Sequence, residues 1–180
     1  MSTVHLSRRA FLKASGLSVS GWILGFNWAS GAEQPGAPFR PNAFIRISRE
    51  AGVTLYIPIP EVGQNTRTAI AMILADELGA DLDTVDIRQA GPRNDMGWQK
   101  AAASGGIRRS YQNLRESAAA ARQMLIAGAA AHWGVAPARC RTEKSVIRGP
   151  GGRSLAFVDA IVHAGNQPVP QNPTLKPAKD

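Results

Sequence analysis

At 180 residues the chain is long enough for one domain and a leader. Lysine and arginine number 21 against 13 acids, a net charge of +8; removing Arg8, Arg9 and Lys13 with the leader leaves 18 against 13, or +5. That excess is modest and forms no basic block, which argues against nucleic-acid binding. The single cysteine, Cys140, excludes an intrachain disulfide.

The N-terminus carries Ser7-Arg8-Arg9-Ala10-Phe11-Leu12-Lys13, a twin-arginine export motif, ahead of a moderately apolar stretch from Ala14 to Trp28. Small residues follow at Ala29, Ser30, Gly31 and Ala32, so cleavage is expected near Ala32–Glu33. Glycines and serines interrupt the apolar run, which is short for a membrane span; a retained leader acting as an anchor is the alternative. Proteins exported by the twin-arginine translocase fold first, often around a cofactor. The leader, residues 1–32, therefore predicts a periplasmic protein that acquires its fold before leaving the cytoplasm. Cys140 reads as a small buried apolar residue rather than a nucleophile.

Residues 33–42 are rich in proline and glycine and read as a linker. Phe44 to Ser48 alternates as a strand, Arg49 to Gly52 supplies a turn, and Val53 to Ile57 returns, a hairpin pattern. The turn Pro58-Ile59-Pro60-Glu61-Val62-Gly63-Gln64-Asn65 then leads into a helix from Thr66 to Leu78, with Asn65 as N-cap and Gly79 as left-handed C-cap. Val85-Asp86-Ile87 reads as a strand beside the hairpin. Ala90 to Ala103 is irregular, with Trp98 as an anchor for the loop.

Ser104-Gly105-Gly106 precedes a long alanine-rich helix, expected from Ser110 to Trp133. Its small residues Ala118, Ala121, Gly128 and Ala131 allow close packing; Gly134 and Pro137 end it. Arg141 to Ile147 predicts one short strand, Gly149 to Gly152 a tight turn, and Ser154 the cap of a short helix through Phe157, Ile161 and Val162. The tail, residues 166–180, holds four prolines and reads as extended rather than packed. The packed domain is thus expected over residues 43–165.

Two glycine-bearing turns, Gly63-Gln64 and Ser104-Gly105-Gly106, each introduce a helix. Side by side, those helix starts would offer backbone donors and positive dipole ends to phosphate or pyrophosphate. Ordinary tight turns remain the other reading. The Gln64 amide can donate and accept toward a polar ligand, and Arg108 and Arg109 can clamp an anion or lie solvated at the surface. Catalytic groups are scarce. Glu61 lacks a partner as a general base, and His132 and His163 read as capping or surface residues. No metal-ligand spacing occurs.

Pro58 to Leu78 resembles the Pro-Glu-Met-Gly-Gln-Gly-x-x-Thr segment and following helix of the molybdenum hydroxylases, the xanthine dehydrogenase and aldehyde oxidase superfamily. Further likenesses are Leu114-Arg115, Ala120 to Leu125, Ala129 to Val135, Cys140 to Glu143, Gly152 to Leu155 and Pro168 to Lys176. The combination is most similar to the N-terminal part of an isoquinoline 1-oxidoreductase-like large (beta) subunit. The resemblance implies a molybdopterin cytosine dinucleotide cofactor, contacted by Gly63, Gln64, Ser104, Gly105 and Gly106. It also implies hydroxylation of an aldehyde or N-heterocycle with water as oxygen source. Electrons would leave through a small subunit with 2Fe–2S clusters or toward a cytochrome. The chain departs from the family in three respects. Asn65 replaces the second glycine, the loop between Gly106 and Leu114 is shorter, and the later domains with the catalytic glutamate are missing.

The expected fold is α+β: a small mixed or antiparallel sheet with two main helices packed on one face and a proline-rich tail. The expected role is the exported molybdopterin-binding segment of a large subunit, inactive alone. No cofactor is expected to stay bound without the remaining domains. A non-catalytic periplasmic binding or assembly module retaining the fold is the alternative.

Overall fold

The computed structural model describes residues 40–177; the expected twin-arginine leader, with Arg8 and Arg9, lies outside them. The two alternating stretches form an antiparallel hairpin, β1 (Ile45–Ser48) and β2 (Gly52–Ile57), with Ile45 opposite Leu55 and Ile47 opposite Val53. That register puts Ile45, Ile47, Val53, Leu55 and Ile57 on one face, where all are buried. Asn42 braces the entry. Its Oδ1 accepts the amides of Phe44 and Ile45, and its Nδ2 donates to Ser117 O at 2.9 Å.

Helix α1 (Thr66–Leu78) carries the chain over to β3 (Asp86–Gln89), which joins β2 in parallel, so the sheet is mixed and β2 central. A parallel neighbour requires such a crossover. Ile70, Ala71, Leu74 and Leu78 form the buried stripe of α1. Helix α2 (Gly106–Trp133) lies along α1, and α3 (Phe157–Ala164) packs on α2 and reaches β1 and β2. The α+β architecture with two main helices is as expected.

Gly79 and Gly134 both take the left-handed conformation at φ 78° and 65° and close α1 and α2 as predicted. Helix α2 starts at Gly106, four residues before the expected Ser110. Glycine's poor helix propensity hides that start, but tertiary contact at Gly106 overrides it. Gly128 lets α3 close in: a Cβ there would stand 2.6 Å from Ala164 N. Ala131, expected on the packing side, is exposed.

The C-terminal third differs most from expectation. In place of one strand, β4 (Arg141–Glu143), β5 (Val146–Arg148) and β6 (Ser154–Ala156) form a second antiparallel sheet. Ser154 is therefore a strand residue, and Ala156 stands at the N-cap of α3 with no side-chain capping bond. The β4–β5 turn has φ 45° at Lys144 and 59° at Ser145. Two left-handed residues make the mirror-image turn that hairpins favour, usually signalled by Asn-Gly. Tertiary bonds hold it here: Ser145 N donates to Gly79 O at 2.9 Å, and Ser145 Oγ accepts the Asp81 amide at 2.9 Å. The tail is extended, yet it is docked. Thr174 and Lys176 hydrogen-bond to side chains of α1 and α2.

Candidate functional site

The two helix starts meet. A Cβ on Gly106, the first residue of α2, would stand 3.0 Å from Ile59 Cδ1 and 3.8 Å from Thr66 Cγ2, Thr66 being the first residue of α1. Ile59 is fully buried and floors the junction. Proline at 58 and 60 fixes the chain in extended form around it, so the strand end delivers Ile59 inward and the next residues outward. Glu61, Val62, Gly63, Gln64 and Asn65 are all exposed.

At the first start the chain supplies its own anion. Glu61 Oε1 accepts the amides of Gly63 at 2.8 Å and Asn65 at 3.0 Å, and Oε2 accepts the Arg67 amide at 3.0 Å. The Arg67 amide is the largest cause holding the Glu61 carboxyl below its ordinary range, and the amides of Asn65 and Gly63 add to it. A lowered pKa is the wrong direction for a general base at neutral pH. Glu61 is a capping group. Asn65 occupies the N-cap position at φ 58°, and its side chain makes no capping bond, which corrects its expected role. Gln64 turns inward on its own loop, donating from Nε2 to Pro60 O and accepting the Val62 amide on Oε1, both at 2.7 Å.

The second start is open. Among the described residues, the amides of Gly106, Ile107 and Arg108 have no acceptor, as the first amides of a helix must unless capped. Ala103 and Ser104 precede it at φ 53° and 48°, and Gly105 follows in the right-handed region at φ −101°. The Gly105 amide goes to Ala102 O at 3.2 Å, so the free donors of this start begin at Gly106. Ser104 is exposed and Gly105 buried, with a Cβ on Gly105 falling 2.7 Å from Arg109 Nε.

Arg109 lies over the indole of Trp98 at 4.6 Å, and Lys100 approaches the same ring at 5.7 Å. Trp98 thus anchors the loop and also gathers cations beside the open helix start. The loop itself is tied by Arg93, which pairs with Asp95 at 2.5 Å and lowers that carboxyl's pKa. Burial pushes the Cys140 thiol up, away from the nucleophilic thiolate.

Sequence reasoning missed Glu61 as cap, Arg109 on Trp98, and Glu77. Glu77 is fully buried between Arg115 and Arg122 at 2.7 and 2.8 Å. Its signal was present, because Ile70, Leu74 and Glu77 follow helical spacing and put a carboxylate on the apolar stripe. Arg115 and Arg122, seven residues apart, share one face of α2.

The residues match a family model described as "Molybdopterin cofactor-binding domain" over 5–176. The chain is 30% identical to the beta subunit of isoquinoline 1-oxidoreductase from Brevundimonas diminuta over 196 residues, covering 99% of this chain and 25% of that protein. It is 29% identical to a membrane-bound aldehyde dehydrogenase (pyrroloquinoline-quinone) of Gluconacetobacter polyoxogenes, covering 97% of this chain and 24% of that one. A nicotinate dehydrogenase subunit of Pseudomonas putida is 27% identical, covering 69% of this chain and 10% of that one. The fold is similar to that of quinoline 2-oxidoreductase from Pseudomonas putida 86, with a TM-score of 0.52, 23% identity, and coverage of 65% of this chain and 15% of that one. The chain thus spans at most about a quarter of the length of these relatives. On a match that covers nearly all of its length, the chain belongs to the molybdopterin cofactor-binding domain family and is homologous to the large subunits of molybdenum hydroxylases.

Proposed function

We propose that this chain supplies part of the molybdopterin cradle of a periplasmic molybdenum hydroxylase, with the cofactor in its cytosine dinucleotide form. The observation that carries the reading is the open start of α2 in contact with the start of α1, within a chain of this family. Its unfilled amides and the adjacent cations Lys100, Arg108 and Arg109 fit an anionic group. Ser104 and Gly106 would hold that group through the main chain and Gly105, whose amide goes to Ala102 O, would let it approach closely, with Gly63 and Gln64 on the turn entering α1. The start of α1 fits less well, because Glu61 already takes the Arg67 amide and those of Gly63 and Asn65 in the turn before it.

When bound, the molybdenum cofactor would supply oxidation of a carbon–hydrogen bond in an aldehyde or N-heterocycle, with water as oxygen source. This chain's residues bind and orient; none carries a proton in the reaction. The twin-arginine leader supports export after folding. The remainder of the large subunit and a small 2Fe–2S subunit or a cytochrome complete the enzyme, and the purified chain by itself should show no turnover.

The occupied start of α1 favours a second reading, a non-catalytic periplasmic binding or assembly module. One experiment separates the two. The chain is co-expressed with the remaining part of a large subunit in a molybdenum-replete host, and purified material is assayed for molybdenum and acid-released cytidine monophosphate. Stoichiometric nucleotide, lost when Gly106 is replaced by Asp, is the expected result. A folded complex free of both overturns the cofactor reading and leaves the second.

A further inference from the structure

We infer that Glu77, Arg115 and Arg122 form a receptor for extended main chain, and that the chain's own residues 174–176 fill it as a detachable strap. Glu77 Oε1 accepts the Lys176 amide at 2.8 Å, and Arg115 Nη2 donates to Lys176 O at 2.6 Å. Arg122 Nη2 and Gln123 Nε2 donate to Thr174 O at 2.7 and 3.1 Å. A fifth bond runs from Lys176 Nζ to Asp76 O. Four of the five bonds therefore engage peptide groups of the tail and one a side chain.

Residues 174 and 176 are two apart, the spacing at which an extended chain turns successive groups to the same side. Pro177 drives Lys176 into the extended region, so the tail is ordered for docking before it arrives. The receptor's own ion pairs do not involve the tail. Glu77 has no exposed surface and already pairs with Arg115 and Arg122, whose side chains are 18% and 15% exposed. One carboxylate between two guanidiniums leaves spare donors, and the strap's carbonyls take them. The strap spans from α1 to α2 and so ties together the two helices whose starts meet at Ile59. It requires peptide groups at the right spacing more than it requires lysine or threonine.

The test uses the full chain with a protease site placed at Gln167, cut after folding. Residues 168–180 should stay bound through gel filtration and exchange for the synthetic peptide. A Lys176→Ala peptide should compete within about threefold, since one exposed side-chain bond is worth little. A peptide N-methylated at the Lys176 amide should compete roughly 10- to 100-fold more weakly, the loss expected for one hydrogen bond to a charged group. In a cut Glu77→Gln chain the tail should dissociate faster; the peptide comparison decides the matter if that variant does not fold. Immediate loss of the tail from the cut chain with Glu77 intact overturns the inference, as does equal competition by the N-methyl peptide or failure of the alanine peptide.

Discussion

His132 and His163, in the last turns of α2 and α3, stack ring on ring with centroids 4.2 Å apart and planes 21° from parallel. Both lie at helix ends, as expected, with His132 exposed and His163 half-buried; the stacking between them is the added finding. Burial, and then the neighbouring His132, hold the His163 imidazole below its ordinary value of 6.5. The native state therefore binds fewer protons than the unfolded one below that value, and stability falls as pH drops through 6.5 toward the depressed value. The other groups on the packed elements are Asp159, paired with Arg49 at 3.5 Å, Arg46 on β1 and Tyr56 on β2. His132→Ala should raise the His163 pKa part of the way, read from its Hε1 shift by NMR. An unmoved titration would refute the coupling.

Glu77→Ala should cost about 3–5 kcal/mol in denaturant unfolding, because two partly buried guanidiniums lose their counter-ion. Burial already pushes the Arg122 guanidinium down, with Glu77 opposing. Replacing all three together, Glu77→Leu with Arg115→Met and Arg122→Leu, should cost less than Glu77→Ala alone. If the triple variant proves the weaker protein, the ion triad is more than a locally balanced charge set.

Gly79 has no room for a side chain. A Cβ there would stand 2.7 Å from Thr142 Cβ, at φ 78°. Gly79→Ala should therefore destabilise by at least about 1–2 kcal/mol from the left-handed backbone alone. Thr142 Oγ1 is buried with no hydrogen-bond partner among the described residues, so Thr142→Val, which keeps the shape, should be neutral or stabilising by up to about 1 kcal/mol. A clear loss in Thr142→Val would mean that the hydroxyl is satisfied in solution.

Glu61→Gln should unfasten the first turn of α1. The folded Glu61 carboxyl sits below 4.5, so its contribution is present above that pH and disappears as pH falls through the depressed value. The substitution should abolish that acid step and speed hydrogen exchange at the Arg67 amide. Unchanged exchange would show that water serves the turn equally well.

Much of the first half of the fold is legible in the sequence. Alternation at Phe44 to Ile57, helical spacing at Ile70 to Leu78 and glycine at 79 and 134 are local patterns, and local physics produces those elements. The second sheet is not, because its defining turn is Lys144-Ser145, which no local preference favours. Gly79 O and the Asp81 amide, far off in sequence, stabilise it. Of the site, the glycine turns are legible. Glu61 reaching forward over Gly63, Asn65 and Arg67 is not, because a carboxylate ahead of a helix more often signals simple dipole preference. The docked tail is hidden, whereas Glu77 is legible from its place on the apolar stripe. Proline content predicts extension, and only the folded α1–α2 face shows what an extended segment can rest on.

Arg109 belongs by its backbone to the first turn of α2 and by its guanidinium to the face of Trp98, 4.6 Å away. A negatively charged guest at that helix start competes with the indole for the same cation. Displacement uncovers the ring, and the emission of Trp98 then becomes a label-free gauge of occupancy. Trp133 lies at the opposite end of the helix, where its ring covers Gly149, so its emission adds a background that the guest leaves unchanged.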